Sequence, residues 1–155
     1  MIYNRPQLLF LVILRIAIGW HFLFEGAVKL INPSWTSKAY LLDSKGPFAG
    51  LFYRIGENAS VLKVADLMNE WGLTLIGISL IIGLFSRVAC IAGVILLAFY
   101  YLSHPSWIGL EYMFPSEGDY FIVNKNLIEL IALLVLFYFP TSRIIGVDKY
   151  IRTKK

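Results

Sequence analysis

Residues 8–31 decide the fold, and they read LLFLVILRIAIGWHFLFEGAVKLI. A helix over this apolar stretch would be about 35 Å long, which is enough to cross a bilayer core of about 30 Å. The stretch nevertheless carries four ionisable residues, which are Arg15, His21, Glu25 and Lys29. At about 100° per residue, Lys29 falls at about −40°, Glu25 at about −80° and His21 at about −120° from Arg15. All four lie within one third of the circumference. Because a charge facing lipid costs at least about 2.5–3.5 kcal/mol, this stripe must face protein or a wet cavity.

The composition of the whole chain also indicates an integral membrane protein. Its 155 residues are 58% hydrophobic and 15% charged, whereas soluble domains contain about 25% charged residues. The length allows one domain, 1–155. The single cysteine, Cys90, excludes an internal disulfide, a Cys-x-x-Cys dithiol and a thiolate metal cluster. The net charge of +4 comes mostly from the C-terminal tail and fits a membrane surface better than a nucleic acid.

Four spans can be placed along the chain, which predicts an all-α membrane protein folded as a four-helix bundle. The spans are 8–31, 70–85, 88–102 and 127–139. The last three have apolar cores shorter than the ~20 residues that a span needs, so we expect each to extend by a flanking turn. Only Ser86-Arg87 separates the second span from the third, which predicts a tight helical hairpin. Re-entrant segments are the alternative.

The two long connections are aromatic and partly charged. Segment 34–69 mixes aromatic with charged residues around Gly46-Pro47, which predicts one or two short helices in the membrane interface. From Ser60 the apolar residues have helical spacing that leads into the second span. Loop 105–126 is expected to be ordered against the surface; its aromatic and acidic residues are Trp107, Tyr112, Phe114, Tyr120, Glu111, Glu117 and Asp119. The basic residues favour both termini in the cytoplasm.

Under this topology, polar residues of all four spans converge on one half of the bundle. Inverting the topology moves the whole group together, so the convergence does not depend on orientation. The candidate catalytic residues are His21 and Glu25. The candidate substrate-binding or quinone-binding residues are Arg15, Lys29, Glu70, Tyr100, Asn126 and Glu129. No metal site is expected, because the chain has no His-Glu-x-x-His motif and no cysteine set.

Each of these residues also has a structural interpretation. His21, Glu25 and Lys29 are spaced i, i+4, i+8, and such a ladder of ion pairs can simply fix helix packing. Arg15 can pair with an acid elsewhere or with backbone carbonyls, and Lys125 and Glu129 form another i, i+4 pair. Gly19 and Gly26 would let another helix approach closely. The chain's other histidine, His104, lies far from His21 in sequence, which argues against a bis-histidine haem.

Quinone chemistry is one reaction that the polar cluster could serve. It moves two electrons and two protons. It needs a lipid-accessible apolar pocket, a hydrogen-bond donor for each carbonyl and a carboxylate or histidine that carries protons. His21, Glu25 and Lys29 beside aromatic side chains supply these groups.

The chain resembles the DoxX/DoxD family of small four-helix membrane proteins. Span one contains the R…G…G..K pattern of that family, formed by Arg15, Gly19, Gly26 and Lys29. The second span closes with the G-L-x-x-R turn, Gly83-Leu84-Phe85-Ser86-Arg87. The pieces Gly46-Pro47-Phe48-Ala49 and Pro33-Ser-Trp-Thr look more like the DoxD branch. The resemblance covers nearly the whole chain and includes a fourth helix followed by a basic tail with Asp148.

This resemblance implies a quinone-interacting membrane subunit of a sulfur or thiol oxidoreductase. DoxD is the membrane subunit of a thiosulfate:quinone oxidoreductase, and other members are associated with thiol redox and oxidative-stress complexes. Because DoxD works with a soluble companion portion, we expect a protein partner subunit here; self-association into a homo-oligomer is a further expectation. The expected location is the cytoplasmic membrane of a bacterium or archaeon. The alternatives are a non-catalytic anchor or scaffold for a redox or stress-response complex and a small-molecule transporter.

The charge stripe of span one gives the sharpest prediction. We expect Arg15, Glu25 and Lys29 to point into the bundle. Glu25 should pair with Lys29, His21 or a basic group of another span, because an unpaired buried carboxylate costs several kcal/mol. If that pair is fully buried, Glu25→Ala should destabilise the bundle by about 3–5 kcal/mol.

Overall fold

The computed structural model describes residues 3–113 and 121–152, and in these ranges the regular structure is all helical. The helices are α1 (Arg5–Ile31), α2 (Lys38–Leu42), α3 (Ala49–Glu57), α4 (Ala59–Ile82), α5 (Ser86–Ser103), α6 (Lys125–Tyr138) and α7 (Asp148–Arg152), with a 3-10 turn at Thr141–Arg143. Helices α1, α4, α5 and the segment Lys125–Arg143 are long and apolar enough to cross a membrane. The protein is therefore a multi-pass membrane protein built as the predicted four-helix bundle.

The helical boundaries differ from the predicted spans at α4 and α6. Helix α4 begins at Ala59, well before residue 70, because the Asn58 side chain accepts from the backbone N–H groups of Ser60 and Val61. It ends at Ile82 instead of continuing to 85, because Gly83 adopts a φ of 71° and stops it. Helix α6 has 14 residues; the following 3-10 turn extends this span to 19 residues.

Helices α1 and α4 pack closely along glycines. A Cβ atom added to Gly19 would lie 2.9 Å from the Cβ of Leu80, and one added to Gly26 would lie 2.6 Å from the backbone N of Thr74. Gly77 of α4 meets α1 in the same way, since its added Cβ would lie 2.7 Å from the carbonyl oxygen of Gly19. The predicted close approach at Gly19 and Gly26 is confirmed. It holds the two helices in a fixed register.

The turn between α4 and α5 is the predicted tight hairpin, and it is fixed by a distant carboxylate. Asp148 accepts from the backbone N–H of Phe85 at 2.8 Å and of Ser86 at 3.3 Å. It also accepts from the Ser142 hydroxyl at 2.7 Å. These bonds satisfy N–H groups that a helix start leaves without intrahelical partners. Asp148 therefore ties the C-terminal segment to the start of α5.

The bundle is apolar both inside and outside. A buried core cluster joins the four spans; its least exposed members are Phe22, Leu80, Cys90 and Leu133. Large apolar side chains such as Trp20, Phe24 and Leu75 are more than half exposed on the outer surface. An exterior of this kind suits hydrocarbon, and the long helices can therefore contact a lipid bilayer.

The two ends of the bundle differ in what covers them. The end with the hairpin turn and both chain termini is called the termini end. The opposite end, which carries α2, α3 and residues 104–113, is called the loop end. There the backbone N–H of Met113 donates to Asp43, and the Ser44 hydroxyl donates to the carbonyl of Ser103. The predicted order of loop 105–126 is confirmed for the described part, while Phe114, Glu117, Asp119 and Tyr120 lie outside the described residues.

Candidate functional site

A cavity of about 550 Å³ lies inside the bundle at the loop end. All four spans and the segment between α1 and α2 contribute to its wall. Its lining residues are His21, Phe22, Glu25, Lys29, Asn32, Ser34, Trp35, Thr36, Ser37, Tyr40, Asn69, Leu73, Leu97, Tyr100, Lys125, Asn126 and Glu129. We call this the four-helix cavity. Its size falls in the usual range of small-molecule sites, about 300–1,000 Å³.

One wall of the cavity is a histidine–carboxylate pair that joins α1 to α6. His21 Nδ1 lies 2.9 Å from Glu129 Oε1 and 3.1 Å from Oε2. The Glu129 side chain is only 12% exposed, so the imidazole supplies a hydrogen bond that its carboxylate needs in this environment. Because Nδ1 faces the carboxylate, Nε2 is the ring nitrogen left for another partner.

A second part of the cavity wall is built around Lys29, about two turns further along α1. Its Nζ donates to Asn69 Oδ1 at 3.2 Å and lies 3.6 Å from Glu25 Oε2. The ammonium also lies 5.2 Å from the ring centroid of Trp35 and 5.9 Å from that of Tyr100. These distances are within cation–π range. Lys29 is thus held by a carboxylate, an amide and two aromatic faces while its side chain is 16% exposed.

A short polar chain continues from Lys29 towards the loop end. Asn69 Nδ2 donates to the Tyr100 hydroxyl at 2.6 Å, so this hydroxyl keeps its own hydrogen for another acceptor. Tyr40 donates to the backbone carbonyl of Tyr100 at 3.4 Å, and its ring meets the Tyr100 ring edge to face. Burial raises the pKa of the Tyr40 phenol, so Tyr40 stays a neutral donor.

A stack of aromatic rings adjoins the cavity at the loop end through Tyr40. The His104 ring lies 3.8 Å from the Tyr40 ring and 4.6 Å from the Tyr112 ring, measured between centroids. The His104 side chain is 12% exposed, and its Nε2 lies 3.9 Å from Asp43 Oδ2. Burial lowers the pKa of His104 to about 4, although Asp43 opposes this shift. His104 is therefore neutral at pH 7, and Tyr40 links its ring stack to the cavity wall.

The structure brings together most of the predicted site residues. The six that line the four-helix cavity are His21, Glu25, Lys29, Tyr100, Asn126 and Glu129. Glu70 and Arg15 are not part of its wall. Glu70 lies near enough to interact electrostatically with Lys29, but it is Asn69 that reaches the ammonium.

Arg15 lies at a different depth from the cavity. It shares the angular sector of Lys29, but the two are about 21 Å apart along the helix axis. Its guanidinium, 3% exposed, donates from Nη1 to the Thr141 hydroxyl at 3.1 Å near the termini end. The prediction that Arg15 binds the same ligand as Lys29 is therefore wrong. The two residues lie at similar angles around the helix, but they lie at different depths along it.

The predicted ladder along α1 is only half formed. Glu25 pairs with Lys29, as expected, but His21 pairs with Glu129 of α6 instead of with Glu25. The Glu25 side chain is 50% exposed, so its expected burial inside the bundle is wrong. The reason is that α1 turns His21 towards α6, and this leaves Glu25 on the rim of the cavity.

Among the cavity residues that the sequence interpretation missed are Asn69, Trp35 and Tyr40. Asn69 could have been found, because it lies four residues before Leu73 and continues the buried face of α4. Trp35 lies in the irregular segment after α1 and Tyr40 in the five-residue helix α2, and both segments are too short for periodicity to indicate direction. Thr36 and Ser37 donate to Asp66, and these bonds fix that segment against α4.

Two further findings bear on the chemistry of the site: its capacity to bind a metal ion and the similarity of the chain to known proteins. Across residues 3–113 and 121–152, no three His, Cys, Asp or Glu side chains are placed to share a metal ion. Comparison of the chain with protein-family profiles, curated proteins and solved structures gave no match. The chemistry of the cavity must therefore be argued from its own residues.

Proposed function

We propose that the chain is a quinone-interacting membrane subunit of a sulfur or thiol oxidoreductase, and that the four-helix cavity holds the quinone ring. The observation that carries this proposal is that the His21–Glu129 pair and Lys29 border one cavity at two levels of α1. The two donors are about 12 Å apart along the helix axis, and separate donors along one space are what the two carbonyl oxygens of a quinone require. The resemblance of the α1 motif to the DoxX/DoxD family supports the same function.

The lining residues fit a flat ring with two oxygen acceptors. Lys29 Nζ and the Tyr100 hydroxyl are donors towards the loop end of the cavity, and His21 is a donor about 12 Å away from Lys29 along α1. Trp35 and Tyr40 provide aromatic surface, and Phe22, Leu73 and Leu97 provide an apolar floor. A bound quinone supplies two-electron, two-proton chemistry; the protein binds its ring, orients its oxygens and supplies or removes protons.

The His21–Glu129 pair is suited to carry a proton. When His21 is protonated, the Glu129 carboxylate at 2.9 Å stabilises the imidazolium, in the way that carboxylates orient catalytic histidines elsewhere. The free Nε2 can then donate to a quinone oxygen. Glu25 is half exposed and lies about 9 Å along the axis from the loop-end terminus of α1, nearer to the interface than His21, so it is the group best placed to exchange protons with water there.

Electrons come from a partner in this proposal. The described residues of the chain contain one cysteine, which is buried, and one thiol cannot form an internal dithiol. A soluble partner that oxidises thiosulfate or a thiol would supply two electrons per quinone. We place the protein in the cytoplasmic membrane of a bacterium or archaeon, with both termini on the cytoplasmic side.

Direct binding tests the ring site. Tetramethylbenzoquinone is titrated into the purified protein in lipid nanodiscs, and saturable quenching of tryptophan fluorescence is recorded. Trp35→Phe identifies the quenching that arises in the cavity. We expect His21→Ala and Glu129→Gln to weaken binding by about tenfold or more, because each removes a charge-assisted hydrogen bond. Glu57→Gln, which changes an exposed carboxylate on α3, is the matched control. Absence of saturable binding to the wild type overturns the ring site.

A coupled assay tests the reaction. Thiosulfate-dependent reduction of a quinone analogue is measured in membranes with and without this chain, in the presence of the soluble partner. A rate that depends on the chain and falls in His21→Ala supports the proposal. Equal rates in the two membranes would contradict it.

A non-catalytic membrane anchor or scaffold for a redox or stress-response complex is the second candidate. The ordered layer of α2, α3 and residues 104–113 at the loop end favours it, because Asp43 and Ser44 fix this layer to the bundle. Such a layer offers a fixed surface for a soluble protein. Pulldown in mild detergent separates the two functions. A stable complex whose activity survives both Glu25→Gln and His21→Ala favours the scaffold.

A further inference from the structure

The four-helix cavity opens to the side of the bundle, within the span. The side chains of His21 and Glu25 are 45% and 50% exposed. His21 nevertheless lies about 15 Å along the axis from the loop-end terminus of α1. The neighbouring residues Trp20 and Phe24 are 62% and 58% exposed and apolar, as expected of a lipid-facing surface. At the depth of His21, an opening in these surroundings faces the hydrocarbon, whereas Glu25 lies nearer to the interface.

The opening belongs to the seam between α1 and α6. Helix α1 packs along α4 and helix α6 along α5, whereas α1 and α6 meet over a much shorter stretch. At the level of the His21–Glu129 bond the seam widens into the four-helix cavity. A ligand dissolved in the bilayer can therefore reach the polar wall without crossing water.

A second hollow lies further along the same seam, towards the termini end. Its volume is about 680 Å³. The residues that line it are Tyr3, Asn4, Pro6, Gln7, Phe10, Leu11, Leu14, Val135 and Phe139. The part of this hollow that lies further from the termini end is apolar and is formed by residues of α1 and α6. We call it the seam groove.

Small side chains lie between the two hollows. On α1, Ala17 lies four residues before His21 and Leu14 lies seven before it, so both share its face. On α6, Ala132 follows Glu129 by three residues, and Val135, three residues further along, lines the groove. Ala17 is exposed and Ala132 is half-buried, and each lies in sequence between a residue of the cavity and a residue of the groove. Their methyl groups fill little of the seam at this level.

We propose that the seam groove binds the apolar tail of the ligand whose ring occupies the four-helix cavity. This inference rests on the proposed function and specifies its substrate class: a membrane-dissolved quinone with a long hydrocarbon tail, in preference to a small water-soluble quinone. From His21 to Leu11 the helix rises about 15 Å, which sets the reach of the tail. The polar cavity holds the head, and the apolar surfaces of Leu14, Val135 and Phe139 hold the tail through the hydrophobic effect.

The experiment compares two quinones with the same methylated ring, one without a tail and one with a decyl tail. Both are titrated into the protein in nanodiscs of one lipid composition. Val135→Trp fills the groove, and Leu134→Trp is the matched control. Val135 and Leu134 are each 38% exposed on α6, but only Val135 lines the groove. We expect Val135→Trp to weaken binding of the decyl quinone by about tenfold relative to Leu134→Trp. Binding of the tail-less quinone should not change.

A second pair of variants guards against a folding defect. Ala17→Phe closes the seam between the hollows, and Ile16→Phe adds bulk to the neighbouring exposed position on α1. Ala17→Phe should weaken binding of the decyl quinone alone. If both quinones bind and neither Val135→Trp nor Ala17→Phe weakens binding of the decyl quinone more than its control does, the tail site is overturned while the ring site stands. If neither quinone binds to the wild type, the proposed function and the tail site are overturned together.

Discussion

Helix α1 carries a buried basic side chain near each end of the bundle, and the two surroundings differ. Towards the termini end, the Arg15 guanidinium is enclosed by backbone and small side chains; a Cβ atom added to Gly83 would lie 3.3 Å from its Nη1. Towards the loop end, the Lys29 ammonium borders a cavity of about 550 Å³. Both cations have hydrogen-bonding partners, Thr141 for Arg15 and Asn69 for Lys29.

The comparison shows that burial of a charge does not by itself indicate a ligand site. Arg15 is more buried than Lys29, yet close packing around it leaves little room for a ligand. Lys29 and His21 keep donors that face free volume. Variants at the termini end should therefore change stability, and variants at the loop end should change binding.

The largest effect on stability is expected from Arg15→Ala. Loss of a large buried side chain and of its bond to the buried Thr141 hydroxyl should lower the free energy of unfolding by about 2–4 kcal/mol. Thermal unfolding in detergent measures the change. Arg5→Ala, an exposed arginine of the same helix, is the control and should shift stability by less than about 0.5 kcal/mol. Equal melting temperatures for the two variants would contradict a packing role for Arg15.

Asp148→Ala should have the next largest effect. It removes acceptors from the backbone N–H groups of Phe85 and Ser86 at the start of α5. Loss of such a cap costs about 1–2 kcal/mol. Asp148→Asn keeps one acceptor oxygen and should lie between Asp148→Ala and the wild type in the same unfolding experiment. If the asparagine and alanine variants unfold together, the cap is not what Asp148 contributes.

The aromatic stack around His104 should make the free energy of unfolding depend on pH. The pKa of His104 is about 4 in the folded chain, against about 6.5 for an unperturbed histidine. Between these values the unfolded chain binds a proton that the folded chain does not. The contribution of His104 is therefore complete above about pH 6.5 and decreases as pH falls towards 4, by at most about 1.4 kcal/mol per pH unit.

Comparison with His104→Phe isolates this contribution. Phenylalanine keeps an aromatic ring between Tyr40 and Tyr112 but does not titrate. Melting temperatures are recorded from pH 7 to pH 4 for both proteins. The wild type should lose more stability than His104→Phe over this range. Parallel curves would show that His104 is accessible to protons in the folded protein.

The smallest effect on stability is expected from Glu25→Ala. Because the Glu25 side chain is 50% exposed and Lys29 also bonds to Asn69, the loss should be below about 1 kcal/mol. A fully buried pair would have cost about 3–5 kcal/mol. Glu129→Ala should cost more, since that carboxylate is 12% exposed and its loss leaves His21 without its acceptor. If Glu25→Ala lowered the free energy of unfolding more than Glu129→Ala, the assignment of Glu25 to the exposed rim and of Glu129 to the buried wall would be wrong.

Much of the fold could be predicted because it depends on local periodicity. The length of the apolar run over 8–31 predicted α1, and the short break at Ser86 predicted the hairpin. The helical spacing of Gly19 and Gly26 predicted the close contact with a second helix, which proved to be α4. The helical spacing from Ser60 also predicted that a helix leads into the second span, and α4 begins at Ala59. The end of α4 was less accurate, because the stop at Gly83 depends on its backbone conformation and does not alter the apolar pattern.

The candidate site could be predicted in outline, together with the Glu25–Lys29 pair within α1, but not in its pairings between helices. Alternating span directions brought Tyr100, Asn126 and Glu129 to the same end as Lys29, and this depends only on topology. The helical angle, however, could not separate Arg15 from Lys29. Nor could it show that Asn69, next to the predicted Glu70, reaches the ammonium.

The sequence by itself determined four membrane-length helices, the polar stripe of α1 and the end of the bundle where polar residues gather. These follow from helix geometry and from the cost of exposing charge to hydrocarbon. Only the tertiary structure decided that His21 pairs with Glu129, that Glu25 stands on a rim and that Arg15 is enclosed away from the cavity. The physical reason is that these outcomes depend on how each helix is rotated and how it crosses its neighbours. Rotation and crossing are fixed by packing among residues far apart in the chain.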